Sequence, residues 1–314
     1  MVEKRRLGRT DIEITPIGLG CAQMTMSGMT ARVYSTREPE AVVRAAWSGG
    51  VNWFDTAEGY GRGASERALT TGLRAAGVRP GEAVIATKWL PFGRRASNIP
   101  RTIDDRIDAL QGYPVDLYQI HQPWSLSPVA SEMREMAKLL RAGKIRSIGV
   151  SNFSARQMSR AAAALRAEGV ELAANQVQIS LLNRAVERNG LLDAARELGV
   201  TLIAYSPLHA GILTGRFHDD PAALRRAPLL RKAMFGRGRD LERSRPLLRE
   251  LGRIAEAYGV SRAQVALNWL ITFYGDTVAA IPGASKAQQA EECAGAQSFR
   301  LTEKELGRLA ELAP

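Results

Sequence analysis

Two cysteines in 314 residues, Cys21 and Cys293, are too few and too far apart for a disulfide framework or a zinc site. Histidine is nearly as scarce. Of the three present, His209 and His218 have no metal-ligand residue types spaced around them, and no H-E-x-x-H occurs. Long apolar runs are missing too, and nothing approaches the roughly 18 residues that a membrane span requires. The opening Met1-Val2-Glu3-Lys4-Arg5-Arg6 carries its charges with no apolar segment behind them, unlike a secretory signal. A reducing cytoplasm is the expected setting, with no metal and no membrane partner. Acidic residues are the last shortage: 32 against 43 basic ones, a net charge of +11. That excess raises a nucleic-acid partner, but the arginines are scattered and no RNA- or DNA-binding motif accompanies them. The densest basic segment, residues 225–249, reads as a solvated face. No nucleic acid is expected.

The remaining composition is that of an ordinary globular chain, 45% hydrophobic and 24% charged, long enough for a sizeable core. It reads as one domain over residues 1–314. Residues 5–14 form a hairpin signal, with Gly8-Arg9-Thr10-Asp11 as its turn. Apolar strand runs then alternate with helical stretches. The strands end near residues 21, 56, 88, 121, 150, 179, 206 and 281. Capping boxes mark several helix starts: Ser35 with Glu38, Ser154 with Gln157, Ser261 with Gln264, and Thr302 with Glu305. Residues 207–240 break the rhythm and read as a long loop over one face, with extra helices beyond it and at the C-terminus. Elsewhere the beat is about 30 residues, the length of a βαβ unit. Eight such units point to a (β/α)8 TIM barrel with an N-terminal β-hairpin. A doubly wound open sheet would share that beat, so periodicity alone leaves both folds open.

The chemistry gathers at the strand ends. The second strand delivers Asp55, and Tyr60 follows in a glycine-flanked loop. The third strand delivers Lys88 and the fourth His121. Each has a plain structural explanation by itself, as helix cap, surface residue or filler. Three successive strands ending in ionisable groups at one level are harder to dismiss, because a barrel's strand C-termini meet at one mouth. A phenol normally holds its proton to a pKa of about 10. A nearby ammonium favours the phenolate, a carboxylate keeps that ammonium charged, and an imidazole can bond a substrate oxygen. The set suits protonation of a carbonyl oxygen as negative charge develops on it, which is what hydride reduction needs. A nicotinamide cofactor suggests a Rossmann fingerprint, and Gly59-Tyr60-Gly61-Arg62-Gly63-Ala64 formally fits one. However, the next strand ends in Lys88 where an acidic ribose ligand belongs, which argues against it.

The stretch from Gly50 to Glu66, Lys88, and Asp116-Leu117-Tyr118-Gln119-Ile120-His121 together resemble the aldo-keto reductases. So do Gly149-Val150-Ser151-Asn152-Phe153, Asn175-Gln176, Tyr205-Ser206-Pro207-Leu208 and Ile281-Pro282-Gly283-Ala284. The likeness covers nearly the whole chain and leans toward the branch that holds bacterial reductases and potassium-channel β-subunits. It implies an eight-stranded α/β barrel binding NADP(H) across its mouth, with NAD(H) not excluded, and reducing a small carbonyl compound reversibly. Tyr60 would be the general acid, tuned by Lys88 and Asp55, with His121 orienting the carbonyl. Ser151, Asn152 and Gln176 would bond the carboxamide, and Tyr205 would stack on the nicotinamide. Ser206, Pro207, Leu208, Gly211, Leu213, Gly215 and Arg216 would run beneath the pyrophosphate. Gly20, Cys21, Asp55, Ile281, Gly283, Ser285, Lys286, Gln289 and Cys293 would complete the cofactor wall. Many relatives carry a basic residue early in the last motif and an Asn near its end, where this chain has Ser285 and Cys293. Lys286 stands ready to meet a 2′-phosphate instead. Met24, Met26, Trp89 and Trp124 would line the substrate pocket, with Trp89 read equally as barrel packing. The same resemblance offers a second role, a cofactor-sensing regulatory subunit with little turnover. Oligomeric state is left open between monomer and homo-oligomer.

Overall fold

The structure, a computed structural model, describes residues 3–25, 35–226 and 239–314. Successive side chains of a strand face opposite sides, and here that alternation separates two cores. The strands are β1 (Arg5–Arg6), β2 (Glu13–Ile14), β3 (Leu19–Gly20), β4 (Trp53–Asp55) and β5 (Val84–Trp89). They continue with β6 (Leu117–Ile120), β7 (Ser147–Ser151), β8 (Leu172–Gln178), β9 (Thr201–Tyr205) and β10 (Val278–Ile281). One set of alternate residues, including Phe54, Ile85, Tyr118, Ile148, Val150 and Leu202, packs outward beneath the helices. The other set, Trp53, Ala86, Leu117, Ala174, Ile203 and Ala279, fills the interior.

Strands β3 to β10 lie side by side in chain order, all parallel. An open doubly wound sheet would reverse its order at a switch point, and no reversal occurs. The first and last strands also meet. The Gly18 amide donates to the Ala280 carbonyl at 2.8 Å, and the Ala280 amide to that of Pro16 at 2.9 Å. The Gly20 amide bonds the Pro282 carbonyl at 3.0 Å, with parallel bridges at Ile17–Ala280 and Gly20–Gly283. The eight strands therefore form an α/β barrel of the TIM type. Closure brings β3 hard against its neighbour, since a Cβ on Gly18 would stand 2.3 Å from the Trp53 ring.

The β1–β2 hairpin plugs the barrel base, where Leu7, Ile12 and Ile14 pack on Trp53 and Ile203. Helices follow the strands as expected: α1 (Pro39–Ser48), α2 (Ala64–Ala75), α3 (Ile99–Ala109), α4 (Val129–Arg141), α5 (Ala155–Ala167) and α6 (Leu191–Leu198). Three of the four expected capping boxes form, at Ser154, Ser261 and Thr302. The fourth does not. Helix α1 starts at Pro39, its cap position is Glu38 with no side-chain bond, and the Thr36 hydroxyl accepts the Glu38 amide. Pro39 at the first helical position fixes that start later than Ser35 could cap. The segment after β9 is less loop-like than expected. Its described part folds into tight turns over His209–Thr214, then α7 (Arg216–Asp219) and α8 (Pro221–Arg226). After it come α9 (Arg239–Tyr258), α10 (Arg262–Phe273), α11 (Ala287–Gly295) and α12 (Glu303–Leu312). No helix among the described residues is long and apolar enough to cross a membrane.

Candidate active site

Interior positions alternate up each strand, so the layer above the apolar plug is set by residues two further on. Trp53 leads to Asp55, Ala86 to Lys88, Leu117 to Gln119, and Ala174 to Gln176. This upper layer is polar and buried. Lys88 Nζ donates to Asp55 Oδ1 at 2.5 Å and to the Thr56 carbonyl at 2.8 Å. Gln119 and Gln176 donate their amides to Asp55 Oδ2, at 3.1 and 2.8 Å. Every carboxylate oxygen of Asp55 is thereby engaged, which buried charge requires.

Tyr60 stands over this layer. Lys88 Nζ lies 5.1 Å from the centre of its ring. The Tyr60 and His121 rings meet edge to face, 5.7 Å between centres and at 86°. Burial pushes the Tyr60 phenol above its ordinary pKa, Lys88 opposes that, and Asp55 adds to it. The ammonium was expected to lower this pKa, but burial outweighs it, so the phenol holds its proton at neutral pH. Burial also works against a charged Lys88, yet Asp55 and Tyr60 overcome it and hold the ammonium above its usual value. Burial, and then Lys88, depress His121 to about 3, so its imidazole is neutral at physiological pH. The site thus presents a protonated phenol, a fixed ammonium and a neutral imidazole around one spot.

The aldo/keto reductase family profile matches residues 16–314. The chain belongs to this family. It is an oxidoreductase of that family. An uncharacterised oxidoreductase of Mycobacterium tuberculosis is 36% identical over 309 residues, spanning 96% of this chain and 90% of its own. The 6-dehydroglucose reductase of Novosphingobium aromaticivorans is 30% identical over 308 residues, covering 95% and 90%. Among solved structures, the glycerol dehydrogenase of Gluconobacter oxydans superposes with a TM-score of 0.80 at 27% identity, covering 98% and 94%. A thermostable aldo-keto reductase bound to the inhibitor epalrestat gives 0.78 at 29% identity, covering 99% of both chains.

In this aldo-keto reductase the residues expected near the cofactor fall into three groups. The first is linked at the mouth. Tyr205 donates its hydroxyl to Asn152 Oδ1 at 3.0 Å, and Asn152 Nδ2 bonds Ser151 Oγ at 3.1 Å and the His121 carbonyl at 3.4 Å. The Ser151 hydroxyl donates to the Gln176 carbonyl at 3.0 Å. The second group is the run after β9, where Ser206, Gly211 and Gly215 take positive φ, Pro207 is buried, Leu208 is half-buried and Arg216 is exposed. The third follows β10. Ile281 is buried, Gly283 and Lys286 are exposed, and Gln289 Oε1 accepts the Ser285 amide at 2.9 Å and its hydroxyl at 3.1 Å.

Several other positions are turned into the protein. Leu213, Cys293, Met24 and Trp89 are buried in the large core, and burial holds the Cys293 thiol up at about 12. Gly20 lies in the closing seam, and Cys21 is buried against it, its thiol directed at the Leu19 carbonyl at 3.6 Å. Trp124 is 62% exposed at the rim, with Phe92 of the neighbouring loop 78% exposed. Met26 lies outside the described residues. Sequence reasoning passed over Gln119, although its place two residues before His121 puts it on the same interior face. It also passed over Glu58, which is buried in the Tyr60 loop.

Proposed function

We propose that this enzyme reduces aldehyde or ketone carbonyls to alcohols reversibly, with Tyr60 as the proton donor. The observation that carries the reading is the Asp55–Lys88 pair set beneath the Tyr60 ring, with neutral His121 at its edge. The mouth suits a nicotinamide dinucleotide. It offers the half-buried Tyr205 ring, a run of left-handed backbone at Ser206, His209 and Ala210, and the exposed cations Arg216 and Lys286. A flat aromatic end and an anionic middle match that donor set. NADP(H) would lie there, the Tyr205 ring against the nicotinamide and Lys286 at the 2′-phosphate, and when bound it supplies the hydride.

The chain's own residues do the rest. His121, uncharged, donates one N–H to the carbonyl oxygen and so aims it without competing as an acid. Tyr60 gives its proton to the same oxygen as negative charge grows there. The phenolate left behind is stabilised by Lys88, whose charge Asp55 maintains. The exposed Trp124 and Phe92 favour an apolar or ring-bearing carbonyl compound.

The test is cofactor oxidation against a panel of aldehydes and ketones, with Tyr60→Phe beside the wild type. The variant is expected to lose turnover at least 100-fold while binding NADPH as before. Full activity in Tyr60→Phe would refute the mechanism. Tight NADPH binding by the wild type with no turnover on any compound would favour the cofactor-sensing role instead.

A further inference from the structure

The loop that carries Tyr60 is closed by its own backbone, the Tyr60 amide donating to the Ala57 carbonyl at 3.0 Å and the Tyr60 carbonyl accepting the Ser65 amide at 3.2 Å. Its side chains do little to hold that turn in place. Gly61, Arg62 and Gly63 all take positive φ, at 76°, 52° and 93°, and Gly59 precedes them. Such a glycine-rich run has many conformations to choose among. Nor does apolar packing fix its outer side. That side faces a cleft of about 690 Å³ lined by charged residues, among them Arg62, Arg67, Arg94 and Arg106. A proton donor must nevertheless be placed within a fraction of an ångström.

Glu58 supplies what the packing does not. It lies two residues before Tyr60, and its carboxylate is almost fully buried although it borders the cleft. Oε2 accepts the Leu90 amide at 3.0 Å, and Oε1 accepts Arg94 Nη1 at 2.7 Å. The Glu58 amide donates to the Lys88 carbonyl at 3.1 Å, and its carbonyl accepts the Arg62 amide at 3.1 Å. The main chain of Glu58 thus closes the Tyr60 turn onto Lys88, and its carboxylate ties that turn to Leu90 and Arg94 beyond the end of the same strand. The tie extends to the imidazole. The Tyr60 ring meets the His121 ring edge to face, and a Cβ added at Gly59 would only just reach His121 Cε1 at 3.6 Å and Leu90 Cδ1 at 3.8 Å, so the loop runs close beside both.

We propose that Glu58, clamped by Arg94 and the Leu90 amide, is the positioning residue that holds Tyr60 against Lys88 and His121. The assignment rests on the carbonyl-reductase reading above. Glu58 touches neither substrate nor proton, and it acts by fixing where the phenol stands.

The experiment uses the full chain as wild type, Glu58→Ala, Glu58→Gln, Arg94→Ala, Arg94→Lys and Glu58→Gln with Arg94→Ala combined. Each is checked for folding by thermal melting. With an aldehyde that the wild type reduces, Glu58→Ala is expected to lower kcat about 10- to 100-fold, with KM and the NADPH Kd within about threefold. Arg94→Lys restores most of what Arg94→Ala loses, and the double variant is no worse than its more damaged parent. Hydrogen exchange over residues 57–63 reads the clamp without turnover, and is expected to quicken in both alanine variants while the barrel strands are unchanged. Should Glu58→Ala fail to fold, Arg94→Ala carries the same comparison, because Arg94 is one-third exposed. The inference is overturned by a folded alanine variant with kcat within twofold of wild type, by a rise in KM alone, or by unchanged exchange in the loop. If the wild type reduces nothing, the functional reading fails, and the exchange data still decide whether the clamp exists.

Discussion

Lys88 and Asp55 meet at 2.5 Å with 0% and 2% of their side chains exposed, at the centre of a polar layer resting on an apolar one. Each charge is tolerated because of the other. Asp55→Asn leaves the ammonium buried without its counter-charge, and burial then dominates its ionisation. The variant is expected to lose about 3–5 kcal/mol of stability and to lower kcat about 10²- to 10⁴-fold. Its residual activity should decline as pH rises through neutrality, as Lys88 gives up its proton, where the wild type is flat. A pH series of kcat and thermal melts checks both. A variant with wild-type kcat at pH 8 would show that the carboxylate does not sustain Lys88.

His121 gives a prediction in the acid range. Its folded-state pKa is depressed to about 3, against about 6.5 in an unfolded chain. Between those values the unfolded chain binds the extra proton, so stability falls as pH drops from 6.5 toward 3. The loss is on the order of 1.4 kcal/mol per pH unit, up to about 5 kcal/mol over the whole span. His121→Asn is expected to remove this contribution, so that melting curves from pH 7 to 4 show the variant gaining stability relative to the wild type as pH falls. The kcat profile of the wild type should show no imidazole step between pH 5 and 8. A clear inflection near 6.5 would contradict a buried neutral ring.

Much of this arrangement is legible in the letters, for a physical reason. Asp55, Lys88 and His121 can be read because a barrel converts the ends of successive strands into one place, and strand ends are marked by apolar runs. Three of the caps can be read because a hydroxyl and a carboxylate or carboxamide three apart is a local device. The Ser35 signal fails because a proline four residues on decides where that helix begins. Direction within a motif is harder. The resemblance places Cys293 and Leu213 toward the cofactor, yet their side chains turn into the core, and nothing in the spacing distinguishes the two faces of a short helix or tight turn. The balance at Tyr60 is harder still, since burial opposing Lys88 depends on atoms brought together from four strands. Glu58 escapes notice because its partners, Leu90 and Arg94, lie more than 30 residues away.

Glu132 runs the opposite way to His121. It is 2% exposed on α4, Oε1 has no hydrogen-bond partner, and burial, against a bond to Ser125, raises its pKa to about 7. The unfolded value is about 4.3. From there to pH 7 the folded protein binds the extra proton, so this residue's contribution to stability is lost as pH rises. Between about 4.5 and 6.5 its slope opposes that of His121, and the wild type shows only their difference. Glu132→Gln is expected to raise stability at pH 8 by up to about 3 kcal/mol and to change little at pH 4. Equal effects at both pH values would mean that the carboxyl is not neutral in the folded protein.

The choice between NADPH and NADH should turn on Lys286. Ser285 occupies the place where many relatives carry a basic residue, and its amide and hydroxyl are already bonded to Gln289. It has no charge to offer a phosphate. Lys286, exposed at the cap of α11, has one, and it stands where the helix dipole also favours an anion. A single exposed ammonium facing a dianionic phosphate supplies about 1.4 kcal/mol, or about tenfold in affinity. Lys286→Ala is therefore expected to weaken NADPH binding about tenfold and leave NADH unchanged, with the gap narrowing at high salt. Fluorescence titration with both cofactors at two ionic strengths reads this directly. Equal weakening of the two would assign Lys286 to the shared part of the cofactor. No change in either would remove Lys286 from the proposed cofactor site.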